Sequence, residues 1–382
     1  RDRPQKPSGA DVVSVSRSHK GVVLSQHDPV SRGKRSIAID LKSPDGIAAF
    51  KAMAAKADVL IEPYRPGVME KLGLGPEVLC ALNPRLVYGR MTGFGQGGTK
   101  FEKMAGHDAN YLALSGVLDL FRRGDERPFP PANFAGDYAG GGLMLALGVL
   151  LALIERSRSG KGQVIDAAMV DGANYVALPL YKWAQSGFVP IGNDGHMDTS
   201  RFILCQAPHY VESYLCKVDP KKPNTRQYMS VQAIEPHFYE VLLNGLGLGD
   251  AEGLPGQNDQ SAWPKMKARF ASIFLTKTRD EWAEIFYGTD ACCVPVLNAV
   301  EAAAHPHSVA RGSFAPTPGQ DGLMEPSPAP RLSRTPGHIP RRSPVPGADT
   351  RAVLSEFGFG DGEVSALLQK GAISEGNPLA KL

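Results

Sequence analysis

Apolar and polar positions change their period several times along the chain. Ile37-Ala38-Ile39-Asp40-Leu41 alternates and is β-prone, which predicts a strand. Ser43-Pro44-Asp45 then offers a cap, a proline suited to a first helical turn and an early acid. An alanine-rich helix of about a dozen residues should follow. Asp58–Glu62 predicts a second strand, a short helix starts after Pro66-Gly67, and Arg85–Arg90 predicts a third strand. Strand, helix, strand, helix, strand in that order implies a parallel sheet with crossover helices, and so an α/β fold. The most apolar stretch, Gly140–Ile154, opens a helix reaching Ser157. It is too short to span a bilayer and begins with three glycines, so a buried core helix and no membrane span are expected. Gln163–Asp166 is a predicted strand that hands over to a helix near Ala168.

Residues 186–230 break this pattern with glycine, aspartate, proline and lysine, as in Asp219-Pro220-Lys221-Lys222-Pro223, which sets a change of domain near residue 186. Pro236 suits the first turn of a helix running to Gly245, and Glu235 then lies at that helix's start. Thr278 and Glu281 have the spacing of a capping box. Residues 311–347 hold nine prolines without periodicity and read as an extended surface segment. Helices near Ala348–Phe357 and Gly362–Lys370 close the chain. The expected layout is a large domain at 1–185, a small α+β domain at 186–300, and a return segment at 301–382 whose helices pack on the large domain.

Composition narrows the functional classes. The 382 residues carry 42 Lys+Arg against 39 Asp+Glu, a net charge of +3, which lacks the basic excess of a nucleic-acid binder. A hydrophobic fraction of 42% fills a core and excludes a mostly disordered chain. Five cysteines are an odd number, and no C-x-x-C pair occurs, so neither a disulfide framework nor a zinc site is expected.

Gly93-Phe94-Gly95-Gln96-Gly97-Gly98 fits G-x-G-x-x-G after a strand. No helix opens on its last glycine and no acid ends a following strand, so a plain glycine turn is the better reading. His305-x-His307 lacks a third ligand nearby, and Cys292-Cys293 sits in an apolar run that suits a core. Two segments carry more chemistry. Gly106-His107-Asp108-Ala109-Asn110-Tyr111 sets four polar side chains where a strand-derived loop meets an apolar helix, a place where open α/β folds bind ligands. Asn133-Phe134-Ala135-Gly136-Asp137-Tyr138 precedes Gly140-Gly141-Gly142 and the long helix. Those glycines would let a ligand approach the backbone, and the helix's free N–H groups would stabilise an anion. Asp137 reads equally well there as a helix cap. A histidine and a carboxylate, each at a helix start beside one sheet, are equipped to move a proton at one carbon, and a helix end to hold an enolate oxygen.

These segments occur in order with Arg32-Gly33-Lys34-Arg35-Ser36, Leu60-Ile61-Glu62-Pro63-Tyr64-Arg65-Pro66-Gly67-Val68, Met91–Gln96, Ala139–Leu143, Ser159–Val164, Ile234-Glu235-Pro236 and Gly288–Cys292. On them the chain resembles the family III CoA-transferase superfamily, and within it the α-methylacyl-CoA racemases, over nearly its whole length. The resemblance implies a CoA-binding large domain with a Rossmann-like parallel sheet, a smaller domain, and two chains interlocked as a homodimer. It implies no metal, no nicotinamide and no other cofactor, CoA being part of the substrate. The implied substrate is the CoA thioester of a 2-methyl-branched acid, such as a branched fatty acid or a bile-acid precursor. His107 and Asp137 fall on the two proton-transfer positions, Glu235 on the carboxylate that orients the histidine, and Gly106, Asp108, Asn110, Tyr111 and Asn133 on substrate- or CoA-binding positions beside them. Arg3, Ile39, Asp40, Leu41, Lys42, Arg65 and Lys71 fall on CoA-contacting positions.

Ala380-Lys381-Leu382 is a variant of the S-K-L peroxisomal address. With the resemblance it implies a peroxisomal import receptor as partner and a peroxisomal location, with mitochondrion and cytoplasm as alternatives. The family's first strand and its glycine- and proline-rich turn precede the Asp2-Arg3-Pro4 found here, so the pattern leaves out the usual N-terminal βα unit. Residues 11–31 and 198–206 look like insertions. Two other readings stay open: a CoA-transferase in which Asp137 attacks the thioester to form a mixed anhydride, and an inactive homologue.

Overall fold

Three β-prone runs form a parallel sheet in the order Val59–Glu62, Val87–Thr92, Val164–Ala168, with Val59 opposite Val87 and Tyr88 opposite Val164. The computed structural model describes residues 31–123, 126–205, 207–340 and 344–376. These residues make a mixed α/β fold that divides into two units. The first holds the chain as far as Met104, Leu143–Ala168, and everything from Ala299 onward; the second holds Ala105–Gly142 and Met169–Asn298.

In the first unit, the helix Pro76–Leu82 connects the first two parallel strands and Met144–Ser159 precedes the third. Leu145 lies against the sheet at Gly89, where a side chain would meet its Cδ1 at 2.9 Å. Met69, Leu74, Leu79, Leu86 and Tyr88 are buried together and form the core. The first predicted strand is not in this sheet. Ala38–Ile39 pairs antiparallel with Ile373–Ser374 instead. Hydrogen bonds from Ser36 N–H to Asp349 Oδ2 (2.8 Å), Ala38 N–H to Thr350 Oγ1 (3.1 Å) and Asp40 N–H to Ala372 O (2.8 Å) draw it there. Within the proline-rich segment Phe314–Pro316 and Met324–Pro326 pair as a short antiparallel hairpin.

The long helix corrects two expectations. It starts at Phe134, not Gly140, running as a π-helix to Leu143 and as an α-helix from Met144 to Ser159. Those added turns make it 26 residues, long and apolar enough to cross a membrane by length and composition alone. It is also not a buried core helix. From Met144 onward only Leu145 and Ala152 are buried, while Leu143, Leu147, Leu150, Leu151 and Ile154 form an exposed apolar stripe.

The second unit has an antiparallel sheet of Val211–Leu215, Tyr228–Gln232 and Cys293–Pro295, packed by the helices Pro236–Gly245, Trp263–Phe274 and Arg279–Phe286. Tyr214, Phe270, Phe274, Trp282 and Phe286 dominate its core. Pro236 is at the first helical position, and Glu281 Oε2 accepts from Thr278 N–H at 2.7 Å, completing the predicted capping box. Residue 186 lies inside this unit. Leu112 and Val117 pack with Ala173 and Ala177, which joins residues 105–142 to 169–185.

Candidate active site

After the strand Val87–Thr92 the chain turns through Gly95, Gly97 and Gly98, whose φ values of 87°, 134° and 86° suit glycine. The helix Asp108–Leu114 then begins with His107 as its extended first cap (φ −130°, ψ 174°). Asn110 Oδ1 accepts from His107 N–H at 3.0 Å, and the buried Tyr111 donates its hydroxyl to Gly106 O. These bonds hold the backbone of His107 while its side chain stays exposed.

Asp137 sits in the first turn of the long helix, a π-helical start of the kind that recurs at functional sites. It is half-buried and its Oδ2 accepts from Asn133 Nδ2 at 2.9 Å. Asp108 is 2% exposed, and its Oδ2 accepts from the N–H groups of Gly136 (2.7 Å) and Asp137 (2.8 Å). Burial and the negative charge of Asp108 raise the proton affinity of Asp137, outweighing the opposing effects of His107 and of the Asn133 hydrogen bond. His107 and Asp137 therefore lie within electrostatic reach of one another.

Gly140 does not open the backbone to a ligand. A Cβ on Gly140 would lie 2.7 Å from Ala173 N, and one on Gly172 would lie 1.8 Å from Gly140 O. Gly140 and Gly172 let the long helix and Met169–Val176 touch backbone to backbone. Gly140 is mid-helix, so the expected N–H groups at its start belong instead to residues 134–137, and two of these are taken by Asp108.

Glu235 caps the helix Pro236–Gly245 and is exposed; among the described residues it makes no hydrogen bond to His107. Cys293 is buried but Cys292 is exposed with φ 47°, so only one of the pair belongs to the core. Burial, then the charges of Glu235 and Asp290, raise the Cys292 thiol.

The CoA-contacting candidates belong to the first unit. Ile39 is buried in a core with Leu354 and Ile373. Asp40 Oδ1 accepts from Lys42 N–H at 3.0 Å, and Leu41 is half-buried. Arg65 and Lys71 are exposed on either side of the Gly67 turn. Arg3, Ala380-Lys381-Leu382 and almost all of residues 11–31 lie outside the described residues; Asp198–Cys205 forms a loop ending in a 3₁₀ turn. The sequence pattern missed an ion cluster of Arg90, Glu62 and Glu70. Arg90 Nε donates to Glu62 Oε1 at 2.9 Å, and Arg90 Nη1 lies 2.7 Å from Glu70 Oε1. Its one signal was a charge at the end of each of two apolar strands.

Three comparisons bear on the site. CoA-transferase family III matches residues 8–350. The chain is similar to alpha-methylacyl-CoA racemase of Mus musculus, 47% identical over 94% of this chain and 89% of the relative. The Homo sapiens racemase is 46% identical over the same shares. Among solved structures, a CAIB/BAIF family protein from Brucella suis superposes with a TM-score of 0.67 at 26% identity, covering 86% of this chain and 82% of the other.

Proposed function

This chain belongs to CoA-transferase family III, and from that premise we propose that it is a racemase interconverting (2R)- and (2S)-2-methylacyl-CoA thioesters. The observation that carries the reading is that Asp108, next to His107 in the chain, accepts from Asp137 N–H at 2.8 Å, which brings an imidazole and a carboxyl into one site. A two-base racemase needs both groups; an anhydride-forming transferase needs only the carboxylate.

The α-proton of a thioester is weakly acidic, so its removal needs a base in reach and a place for the charge. In one direction His107 takes the C2 proton and the electron pair moves to the thioester oxygen as an enolate. Asp137, carrying a proton, delivers it to the opposite face. The reverse direction exchanges the roles. A raised proton affinity suits Asp137 to act as acid and base near neutral pH. The first-turn N–H groups of Asp108 and Ala109, which a helix cannot satisfy internally, suit the enolate oxygen.

The finer assignments extend this reading. The acyl group is that of a branched fatty acid or a bile-acid precursor, and CoA lies along Arg3, Ile39–Lys42, Arg65 and Lys71 in a Rossmann-like domain. Two chains form a homodimer, supported by the exposed stripe of Leu143, Leu147, Leu150, Leu151 and Ile154, an apolar face of the kind that marks an interaction surface. Sedimentation should find a dimer, and Leu150→Glu should weaken it. Ala380-Lys381-Leu382 addresses the chain to the peroxisome through its import receptor.

Deuterium wash-in tests the activity. In heavy water the enzyme should incorporate deuterium at C2 of a 2-methylacyl-CoA with epimerisation. His107→Ala and Asp137→Ala should each abolish epimerisation and leave CoA binding largely intact. CoA transfer to a free acid without C2 exchange would establish the transferase instead.

A further inference from the structure

We propose that Asp108 is a positioning residue that ties the two proton-transfer groups to one another. It rests on the racemase reading and gives the neighbour of His107 a task of its own. Asp108 follows His107 in the chain, so their spacing is set by one peptide unit. Its carboxylate reaches 28 residues on and grips the N–H groups of Gly136 and Asp137 at 2.7 and 2.8 Å. One side chain thus fastens the start of the His107 helix to the turn that carries Asp137.

Two features argue against a merely structural cap. Asp108 is 2% exposed, and its second oxygen, Oδ1, is buried without a hydrogen-bond partner. A buried carboxylate that leaves one oxygen unsatisfied is a poor device for stability, and such an atom calls for a functional explanation. The contact is also built to be close. A Cβ on Gly136 would lie 2.8 Å from Asp108 Oδ2, so only glycine admits the carboxylate there.

The charge has a second effect. Asp108 and His107 are the charged groups acting on Asp137, with Asn133 adding a hydrogen bond. Asp108 raises the proton affinity of Asp137, and the other two lower it. Removing the negative charge should move the limb of the pH–rate profile that reports Asp137 to lower pH in both reaction directions. A cap with no catalytic consequence would not move that limb.

Two variants separate charge from geometry. Asp108→Asn keeps an acceptor for the two N–H groups and removes the charge. Gly136→Ala keeps both carboxyls and pushes them apart. For each, kcat and KM for epimerisation of a 2-methylacyl-CoA, the pH profile, CoA affinity and the exchange rates of the Gly136 and Asp137 amides are measured. Both variants should lose about 10- to 100-fold in kcat, as expected for a misplaced catalytic geometry, with KM changed less than about twofold on the same ground. Asp108→Asn should shift the Asp137 limb to lower pH, and Gly136→Ala, which keeps the charge at a greater distance, should shift it less in the same direction. Gly136→Ala should speed exchange of the two amides. Wild-type kcat in either folded variant, or an unmoved limb in Asp108→Asn, overturns the proposal. If Asp108→Asn does not fold, Gly136→Ala decides it alone through kcat and amide exchange. Absence of C2 exchange in the unmodified enzyme would overturn the racemase reading instead, while unprotected Gly136 and Asp137 amides would sink the tie itself.

Discussion

Replacing Arg90 by methionine should destabilise the first unit far more than the loss of one surface ion pair would. Glu62 is 2% exposed, its Oε1 accepts from Arg90 Nε at 2.9 Å and its Oε2 accepts from Tyr64 N–H at 2.7 Å. Without the guanidinium that carboxylate is a buried charge with no counter-ion. Stranding one partner of a buried pair costs roughly 3–5 kcal/mol. The Glu70 arm adds little, because that side chain is 44% exposed and such pairs contribute about 0–1 kcal/mol. Arg90→Met should therefore lower unit-one stability by roughly 3–5 kcal/mol. Glu62→Gln in the same background should restore most of it, since glutamine keeps the Tyr64 hydrogen bond and strands no charge. Urea unfolding followed by far-UV circular dichroism is the assay. Trp183, Trp263 and Trp282 all lie in the second unit, so tryptophan fluorescence follows that unit in the same titration. An Arg90→Met midpoint equal to wild type, or a double variant as unstable as the single one, would refute the reasoning.

Two further outcomes follow from buried contacts. Gly172→Ala places a Cβ 1.8 Å from Gly140 O and 2.6 Å from its carbonyl carbon, where neither helix can rotate a side chain away. Overpacking of roughly 1–3 kcal/mol or more should outweigh the gain of about 1 kcal/mol in helix propensity, so Tm should fall; a rise would show that the helices part freely. His209 is buried against Tyr239, and burial, then the Lys267 charge, lowers it from 6.5 to about 4. The unfolded chain takes up that proton first. Stability is therefore full above pH 6.5 and falls as pH drops toward about 4, by about 3 kcal/mol. His209→Gln should remove that part of the acid sensitivity, and an unchanged urea-midpoint profile between those pH values would contradict the assignment.

Short-range signals were legible in the sequence. Thr278 and Glu281, Pro236 at its helix start, and the strands ending at Glu62 and near Arg90 needed only caps and alternation. The segments 106–111 and 133–138 also stood out, because polar groups gather there before apolar helices. What could not be read locally depended on distant partners. Ala38–Ile39 looks like any strand, and its pairing with Ile373–Ser374 is decided by residues more than 300 positions away. Gly140 looked like a ligand's approach because the backbone of Ala173 that fills the space is not written beside it. Asp108 reads as a substrate contact beside the proton-transfer pair, whereas its carboxylate turns inward to Gly136 and Asp137.

The polypeptide passes from one unit to the other at 104/105, 142/143, 168/169 and 298/299. One of these junctions falls within the helix Phe134–Ser159, and another separates a strand's last residue from the helix after it. Neither unit is thus a cassette that a single recombination event could lift from the gene. A chimera exchanging the His107-bearing half with a relative would need four crossovers, one of them inside a continuous helix and one at a strand-to-helix step. Homologues of this architecture should accordingly diversify by point substitution and loop insertion, and libraries built by shuffling should yield folded enzymes only where the parents agree across those seams.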